Sequence, residues 1–369
     1  MKIGINASFT RKLGSGMGEV TLNYLRTLSK NNTTDEFILY LEEDFVLDLP
    51  DNFTKRIFLP CYKRDDLIRK VLWEKCLLPK KVKKDNCEAF ISLYQSPTIL
   101  SEKIKHTMVV HDIIPELFPE YINNWRKKYY WYLTKEAIKK TDKIVAVSDN
   151  TKKDLIKYLA IDEDKISVRY IDVDPIYKKE VSDFGSQAVL KKYELAPGYI
   201  YSGGGLDKRK NINTLIQAYK LLLDKNKNIP DLVISGKLMP QLAPLIIDVE
   251  KIVKELKIEN KVKVLGFVPQ ENLPALYENA SVFVYSSLYE GFGMPLLEAM
   301  SVGTPVATST RSSLGEIVKD GGVLFNPENV EDVAQKIEQI LNDEELRNLN
   351  IAKAKKYAQN FSWEKFIDF

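Results

Sequence analysis

The sequence predicts an α/β protein made of two doubly wound parallel-sheet domains facing a cleft, and three observations carry that expectation. Short apolar runs at 89–93, 107–110, 231–235, 262–265 and 281–285 read as buried strands, separated by longer stretches with amphipathic helical spacing. Apolar strands that alternate with helices mark a parallel sheet covered on both faces. Residues 179–197 are polar and poorly patterned, which suits a linker between two such halves. A chain of 369 residues has room for two cores, and no repeat of about 20–50 residues or low-complexity tract interrupts the pattern.

The totals exclude several classes of function. A net charge of +3 is too weak to imply nucleic acid. Cys61, Cys76 and Cys87 are scattered and odd in number, which argues for a reducing compartment and against a disulfide framework. With His106 and His111 the only histidines and no Cys-x-x-Cys, the sequence predicts no metal site. MKIGINASF reads as lacking a signal peptide, and no apolar stretch reaches the length of a membrane span. The expectation is a cytoplasmic protein, at most peripheral at the inner face of the cell membrane.

The first half opens with a strand, Lys2–Asn6, then a glycine-rich loop through Gly14, Gly16 and Gly18, then a helix over 19–30. Glycine there permits close backbone approach to a ligand, although a surface turn has the same composition. A helix over 67–78 is flanked by Lys63, Arg64, Arg69 and Lys70 and then by Lys80, Lys81, Lys83 and Lys84. Beside Trp73, Leu77 and Leu78 these charges read either as a solvated face or as a contact with an anionic membrane. The strand 107–110 delivers His111-Asp112, placed like a cleft residue or like a structural histidine with Asp112 as partner. An aromatic and basic helix, 125–140, is followed by a strand at 143–147 and by Ser148, which suits an N-cap for the helix 151–159. Asp172-Val173-Asp174 is read as structural rather than as a metal-binding Asp-x-Asp.

In the second half, Gly203 to Asn211 (GGGLDKRKN) stands between strand and helix, with Arg209 and Lys210 as a fork and a point charge for a diphosphate or as a solvated basic turn. Gly266-Phe267-Val268 follows the strand 262–265. The most informative stretch is 285–300, YSSLYEGFGMPLLEAM, where a strand gives way to two glycines and to Pro295 at the start of a helix. A helix start over a strand end is an anion site. Glu290 and Glu298 would repel phosphate, so they read as acceptors for the hydroxyls of a sugar nucleotide, Glu298 on ribose and Glu290 on the sugar.

That GFGMP, set between Glu290 and Glu298 and followed by Glu-Ala-Met, closely resembles the donor signature of the retaining glycosyltransferases of family 4, which have the GT-B fold. HDIIPELFPEY is similar to the branch containing bacterial mannosyltransferases of surface-polysaccharide assembly, and VSDNTKKDL resembles the last helix of the family's first domain. The resemblance spans nearly the whole chain. It implies residues 1–178 as the acceptor-side domain, 179–357 as the donor domain, and 358–369 (beginning before FSWEKFIDF) as the start of a helix crossing back to the first domain.

The same resemblance implies roles. His111 and Glu290 act on the transferred sugar; Gly16, Gly18, Gly204, Arg209, Lys210, Phe267, Val268, Gly291, Phe292, Gly293, Met294, Pro295, Leu296 and Glu298 bind the donor. It implies no cofactor and no metal: the donor is a nucleoside-diphosphate sugar, GDP-mannose favoured and UDP-sugars next. The acceptor is a hydroxyl of a glycan or lipid-linked oligosaccharide, displaced onto from the same face as the leaving phosphate. One departure stands out, because Gly204 occupies a place where the family has Arg, for which Arg209 is the candidate substitute. Two rivals remain in view. A catalytically silent binding subunit should have lost His111 or a glutamate, and a dinucleotide oxidoreductase needs a Gly-x-Gly-x-x-Gly that the run into Lys208–Lys210 does not supply.

Overall fold

The computed structural model describes residues 1–31, 34–60 and 66–368; Cys61, Lys63 and Arg64 lie outside the described residues, as does Phe369. Each half is a parallel sheet. In the first, β1 (Lys2–Asn6), β2 (Glu36–Leu41), β3 (Phe53–Ile57), β4 (Ala89–Ser92), β5 (Lys105–Val110), β6 (Lys143–Ala146) and β7 (Ile166–Val168) line up in the order β3-β2-β1-β4-β5-β6-β7. In the second, β8 (Tyr199–Ser202), β9 (Leu232–Ser235), β10 (Val262–Gly266), β11 (Ala280–Tyr285), β12 (Val306–Ser309) and β13 (Val323–Phe325) take the order β10-β9-β8-β11-β12-β13. All the strand pairs are parallel.

Strand order reverses between β1 and β4 in one sheet and between β8 and β11 in the other. At such a point the flanking connections leave to opposite faces, opening a crevice beyond the strand carboxyl ends where ligands bind. The central strands explain why these runs carry no polar alternation: Val282, Phe283 and Val284 are fully buried, as are Ile200 and Ile234.

Two boundaries differ from the sequence reading. The compact units are residues 1–171 with 362–369, and residues 172–361, so the first break falls before Asp172 rather than after residue 178. Asp172 pairs with Lys178, whose ammonium also donates to the Phe361 carbonyl at 3.4 Å, and these bonds hold the segment within the second unit. The terminal helix Trp363–Ile367 packs in the first unit, with Phe366 edge-on to Tyr24 at 6.2 Å, while residues 358–361 stay with the second.

The expected helix at 67–78 is a helical run, Asp66–Val71, a π-helical stretch, Leu72–Leu77, and Leu78–Lys84. The wider turn points both Trp73 and Glu74 inward, each fully buried. Trp73 stacks on Phe58 at 5.1 Å and donates to its carbonyl at 2.9 Å. Trp73 and Leu78 are therefore core, and neither faces a membrane.

Candidate functional site

In the second unit, the loops after β8 and β11 are stitched together by their backbones. Leu288 N–H donates to Arg209 O at 2.7 Å, the Ser286 hydroxyl donates to Lys210 O at 3.0 Å, and Ser287 Oγ lies 3.1 Å from Arg209 O. Those bonds turn two side chains toward one carboxylate. Lys210 Nζ lies 2.7 Å from Glu290 Oε1, and an Arg209 guanidinium nitrogen lies 2.8 Å from Glu290 Oε2. Tyr285 OH and Ser287 Oγ donate to Oε1 at 2.9 and 2.7 Å, and Lys210 also donates to Tyr285 OH at 2.6 Å. Asp207 holds Arg209 from the other side, Nε to Oδ1 at 3.1 Å.

Glu290 is buried. Burial alone would raise its pKa, but the Lys210 ammonium and Arg209 guanidinium outweigh it and hold the carboxyl at about 2. Burial in turn pulls Lys210 below the ordinary lysine range against the attraction of Glu290. The charges balance, with two cations facing Glu290 and Asp207. Glu290 thus sits on Arg209 and Lys210, a pairing the sequence reading did not expect. It placed the carboxylate on sugar alone. Oε1 receives three donors and Oε2 one, so the remaining acceptor capacity is at Oε2.

Glu290 is fixed further by Ser312 and Ser313: its N–H donates to Ser312 Oγ at 2.8 Å, and Ser313 Oγ donates to its carbonyl at 2.9 Å. Next comes the helix Met294–Val302, N-capped by Gly293 without a side-chain cap among the described residues. Pro295 has no N–H, and Leu296 N–H is directed to Gly293 O at 3.0 Å, so the donors of this turn narrow to Gly293 and Met294. Leu296 is fully buried and Phe292 packs edge-on to Phe361 at 5.9 Å, which leaves their side chains structural; Gly291 links Glu290 to them. Glu298 accepts from Tyr277 OH at 2.9 Å.

Gly204 joins the same cluster through packing. Its φ is +96°, and a Cβ there would come within 2.8 Å of Pro295 Cγ, so the loop after β8 lies directly on the helix start. The place where the family has Arg is closed to any side chain in this conformation. Phe267 and Val268 follow β10, two strands from β8; Phe267 is exposed and Val268 buried. Asp174 Oδ1 accepts from Ile176 N–H at 3.0 Å, capping a turn, while Asp172 is paired with Lys178. Tyr285, Ser287 and Asp207 were not singled out from sequence. Their signal was position alone, two of them flanking Glu290 on the strand end and one beside Arg209.

In the first unit, His111 follows β5 and is buried, with Nε2 at 2.9 Å from Leu93 O. A carbonyl only accepts, so Nε2 carries the proton and Nδ1 holds the lone pair. Burial pushes the ring below the ordinary histidine range, which keeps it neutral. Asp112 Oδ1 accepts from Ile114 N–H at 3.0 Å, so the ring's hydrogen-bond partner is Leu93. His111 N–H donates to Gln95 at 3.2 Å, and Gln95 lines a cavity of about 260 Å³ with Phe9, Lys70, Tyr94, Tyr130 and Trp131. Gly16 and Gly18 begin the helix Gly16–Leu28 beside it. Gly18 N–H is already held by the Ser15 cap at 3.2 Å and a Cβ there would meet Lys12 O at 2.2 Å, whereas Gly16 faces open space.

Comparison with known proteins places this geometry. Residues 190–357 match the family profile "Glycosyl transferases group 1", and residues 16–175 match "Glycosyltransferase Family 4". The chain is 34% identical over 275 residues to the O-antigen chain mannosyltransferase B of Escherichia coli, covering 74% of this chain and 71% of that protein. It is 31% identical over 269 residues to the serotype-specific mannosyltransferase WbdA of the same organism, of which it covers 32%. Among solved structures, WaaG, a glycosyltransferase involved in lipopolysaccharide biosynthesis, superposes with a TM-score of 0.76 at 15% identity, over all of this chain and 98% of that one. Anabaena HepE in complex with UDP and glucose gives 0.73 at 16% identity, over 99% and 96%. These structures share the GT-B fold.

Proposed function

The chain belongs to the family 4 glycosyltransferases, and from that premise we propose that it moves a hexose, with retention, from a nucleoside-diphosphate sugar to a hydroxyl of a glycan or lipid-linked acceptor. GDP-mannose is the favoured donor, supported by relatives named as mannosyltransferases. The single observation that carries the reading is the cluster of Arg209, Lys210 and Glu290 beside the uncapped start of Met294–Val302. Fixed cations and helix N–H groups stabilise the charge that grows on a leaving diphosphate. Glu290 holds them in place and offers Oε2 to a sugar hydroxyl.

A carboxylate held at about 2 and bonded by Lys210, Arg209, Tyr285 and Ser287 is a poor nucleophile. We therefore assign a same-face displacement. The bond from the anomeric carbon to the phosphate oxygen breaks, the acceptor oxygen bonds to that carbon on the same face, and the acceptor's proton passes to the leaving phosphate. His111 supplies Nδ1 as an acceptor for a substrate hydroxyl, and the aromatic cavity beside it is assigned to the acceptor. No step calls for a metal, so transfer should persist in excess EDTA.

Screening nucleoside-diphosphate sugars for protection against thermal unfolding tests the reading. A donor at about 100 times its Kd adds about 2.7 kcal/mol of apparent stability. GDP-mannose should give the largest rise. A larger rise with a UDP-sugar would install the alternative donor, and no rise with any donor would favour the silent binding subunit.

A further inference from the structure

We infer that Tyr277 is the positioning residue for Glu298, presetting that carboxylate for the ribose hydroxyls of the donor nucleotide. This rests on the proposed transfer from a nucleoside-diphosphate sugar, with Glu298 on ribose, and adds what fixes Glu298 there. Glu298 stands about one turn into the helix Met294–Val302 and is half-buried. A helical side chain leans toward its own N-terminus, so the carboxylate is carried back toward the helix start. A glutamate has several rotatable bonds, and ordering it around a ligand costs binding free energy. Tyr277 removes part of that cost in advance, because its OH donates to Glu298 Oε2 at 2.9 Å. A carboxylate can accept about four bonds across its two oxygens, so holding it with one phenol is compatible with receiving hydroxyls as well.

The phenol is itself held in place. Tyr277 belongs to the short helix Leu273–Glu278 and is 2% exposed. Its ring meets Tyr201 of β8 edge-on at 5.3 Å and Phe283 of β11 edge-on at 5.1 Å, and Tyr177 lies at 6.1 Å. A buried tyrosine hydroxyl needs a polar partner. Tyr201 beside it meets that need at Ser235 Oγ, 2.7 Å away, and Tyr277 meets it at Glu298. Burial and the Glu298 charge push Tyr277 well above the ordinary tyrosine range, so its proton stays available for donation. The backbone of the same residue ties down the far end of the Glu298 helix: Thr304 Oγ1, just past the C-cap Gly303, donates to Tyr277 O at 2.7 Å. The helix is already anchored by the fully buried Leu296, Leu297, Ala299 and Met300. What the phenol adds is the orientation of a charged group that water still reaches.

The test removes hydroxyls from both sides of the contact. GDP and 2′,3′-dideoxy-GDP, and UDP and its 2′,3′-dideoxy form, are titrated calorimetrically into wild type, Tyr277→Phe, Glu298→Ala and the double variant, and the base that binds more tightly is followed. Wild type should prefer the ribonucleotide about tenfold or more. Tyr277→Phe keeps the ring and the Thr304 contact, and should cut that preference about threefold or more while the dideoxy form binds within about twofold of wild type. Glu298→Ala should bring the preference close to one. Adding Tyr277→Phe to it should then change binding by less than about twofold, because the phenol acts only through the carboxylate. Equal weakening of both nucleotide forms by Tyr277→Phe would show a tie between helices and nothing more, and would overturn the inference. An unchanged preference in Tyr277→Phe would overturn it too, as would a wild type that binds both forms alike, which would take Glu298 off the ribose. Binding of neither GDP nor UDP to wild type would overturn the donor reading itself, and the inference with it.

Discussion

The reversal point of the second sheet holds four charged side chains, Asp207, Arg209, Lys210 and Glu290, bonded to one another with little water contact. Its topological counterpart in the first sheet is built from rings and hydroxyls around one ion pair, Lys70 Nζ at 3.7 Å from Glu74 Oε1. Asn6 and Ser8 bond Tyr94 OH at 3.1 and 2.8 Å, and Tyr94 and Tyr130 both donate to the buried Glu74, at 2.5 and 2.8 Å. Lys70 lies within 5.2 Å of the Phe9, Tyr94 and Tyr130 ring centres. One strand order therefore carries two surroundings: fixed charge in the second unit, and aromatic walls with shared hydroxyls in the first. The topology sets the place and the loops set the ligand.

The largest effect should come from removing the carboxylates that anchor the two clusters. Glu290→Ala leaves Lys210 buried without its carboxylate and Arg209 with Asp207 alone, which costs about 3–5 kcal/mol. Glu74→Gln keeps an oxygen for Tyr94 and Tyr130 and removes the ion-pair partner of Lys70, which is partly exposed and caged by rings, so about 1–2 kcal/mol is expected. Urea unfolding measures both. Equal losses would erase the distinction between a charge cluster and a hydroxyl cluster.

The two units should also separate by pH. Burial lowers His106 from 6.5 to about 4, so the stability of its neutral form is complete above about pH 6.5 and is lost as pH falls toward 4. Glu290 falls from 4.5 to about 2, so its contribution is complete above about pH 4.5 and is lost only below that. Each shift corresponds to about 3 kcal/mol. Hydrogen exchange at pH 4.5 should show β4 and β5 amides losing protection while β8 and β11 amides keep it; uniform loss would contradict the separation.

A smaller effect distinguishes the glycines. Gly204→Ala puts a Cβ at +96° φ and against Pro295, and about 1–3 kcal/mol of destabilisation is expected. Gly16→Ala, in open space in the first helical turn, should be neutral or stabilising by up to about 1 kcal/mol. Thermal unfolding of both reads this directly. The same contact predicts that Gly204→Arg will not rescue Arg209→Ala, since the Arg would have to displace the helix start.

Much of this was legible in the sequence because strand–loop–helix units are local. The run 281–285, the GFGMP turn and Pro295 pointed to the candidate site of the second unit, and apolar runs without alternation predicted both sheets. What escaped was non-local or depended on a single turn of backbone. The charges beside Trp73 read either as a solvated face or as a membrane contact, but the π-helical stretch turns Trp73 inward, and the exposed ring is Trp125. The partner of Glu290 escaped for a related reason. Arg209 and Lys210 lie 80 residues or so before it and meet it only because β8 and β11 are neighbours. A carboxylate's partner is a matter of strand order, which no motif spells out.

The central claim is that Arg209 and Lys210 grip a diphosphate while Glu290 presets them. Calorimetric titration of GDP and UDP into the wild-type protein, Arg209→Ala, Lys210→Ala and Arg209→Lys tests it most directly. For whichever nucleotide binds more tightly, each alanine change should weaken binding about tenfold or more, and Arg209→Lys should recover part of the loss because an ammonium cannot fork across two phosphate oxygens. Dissociation constants within about twofold of wild type for both alanine variants would show that these cations serve only to hold Glu290, and would contradict the account.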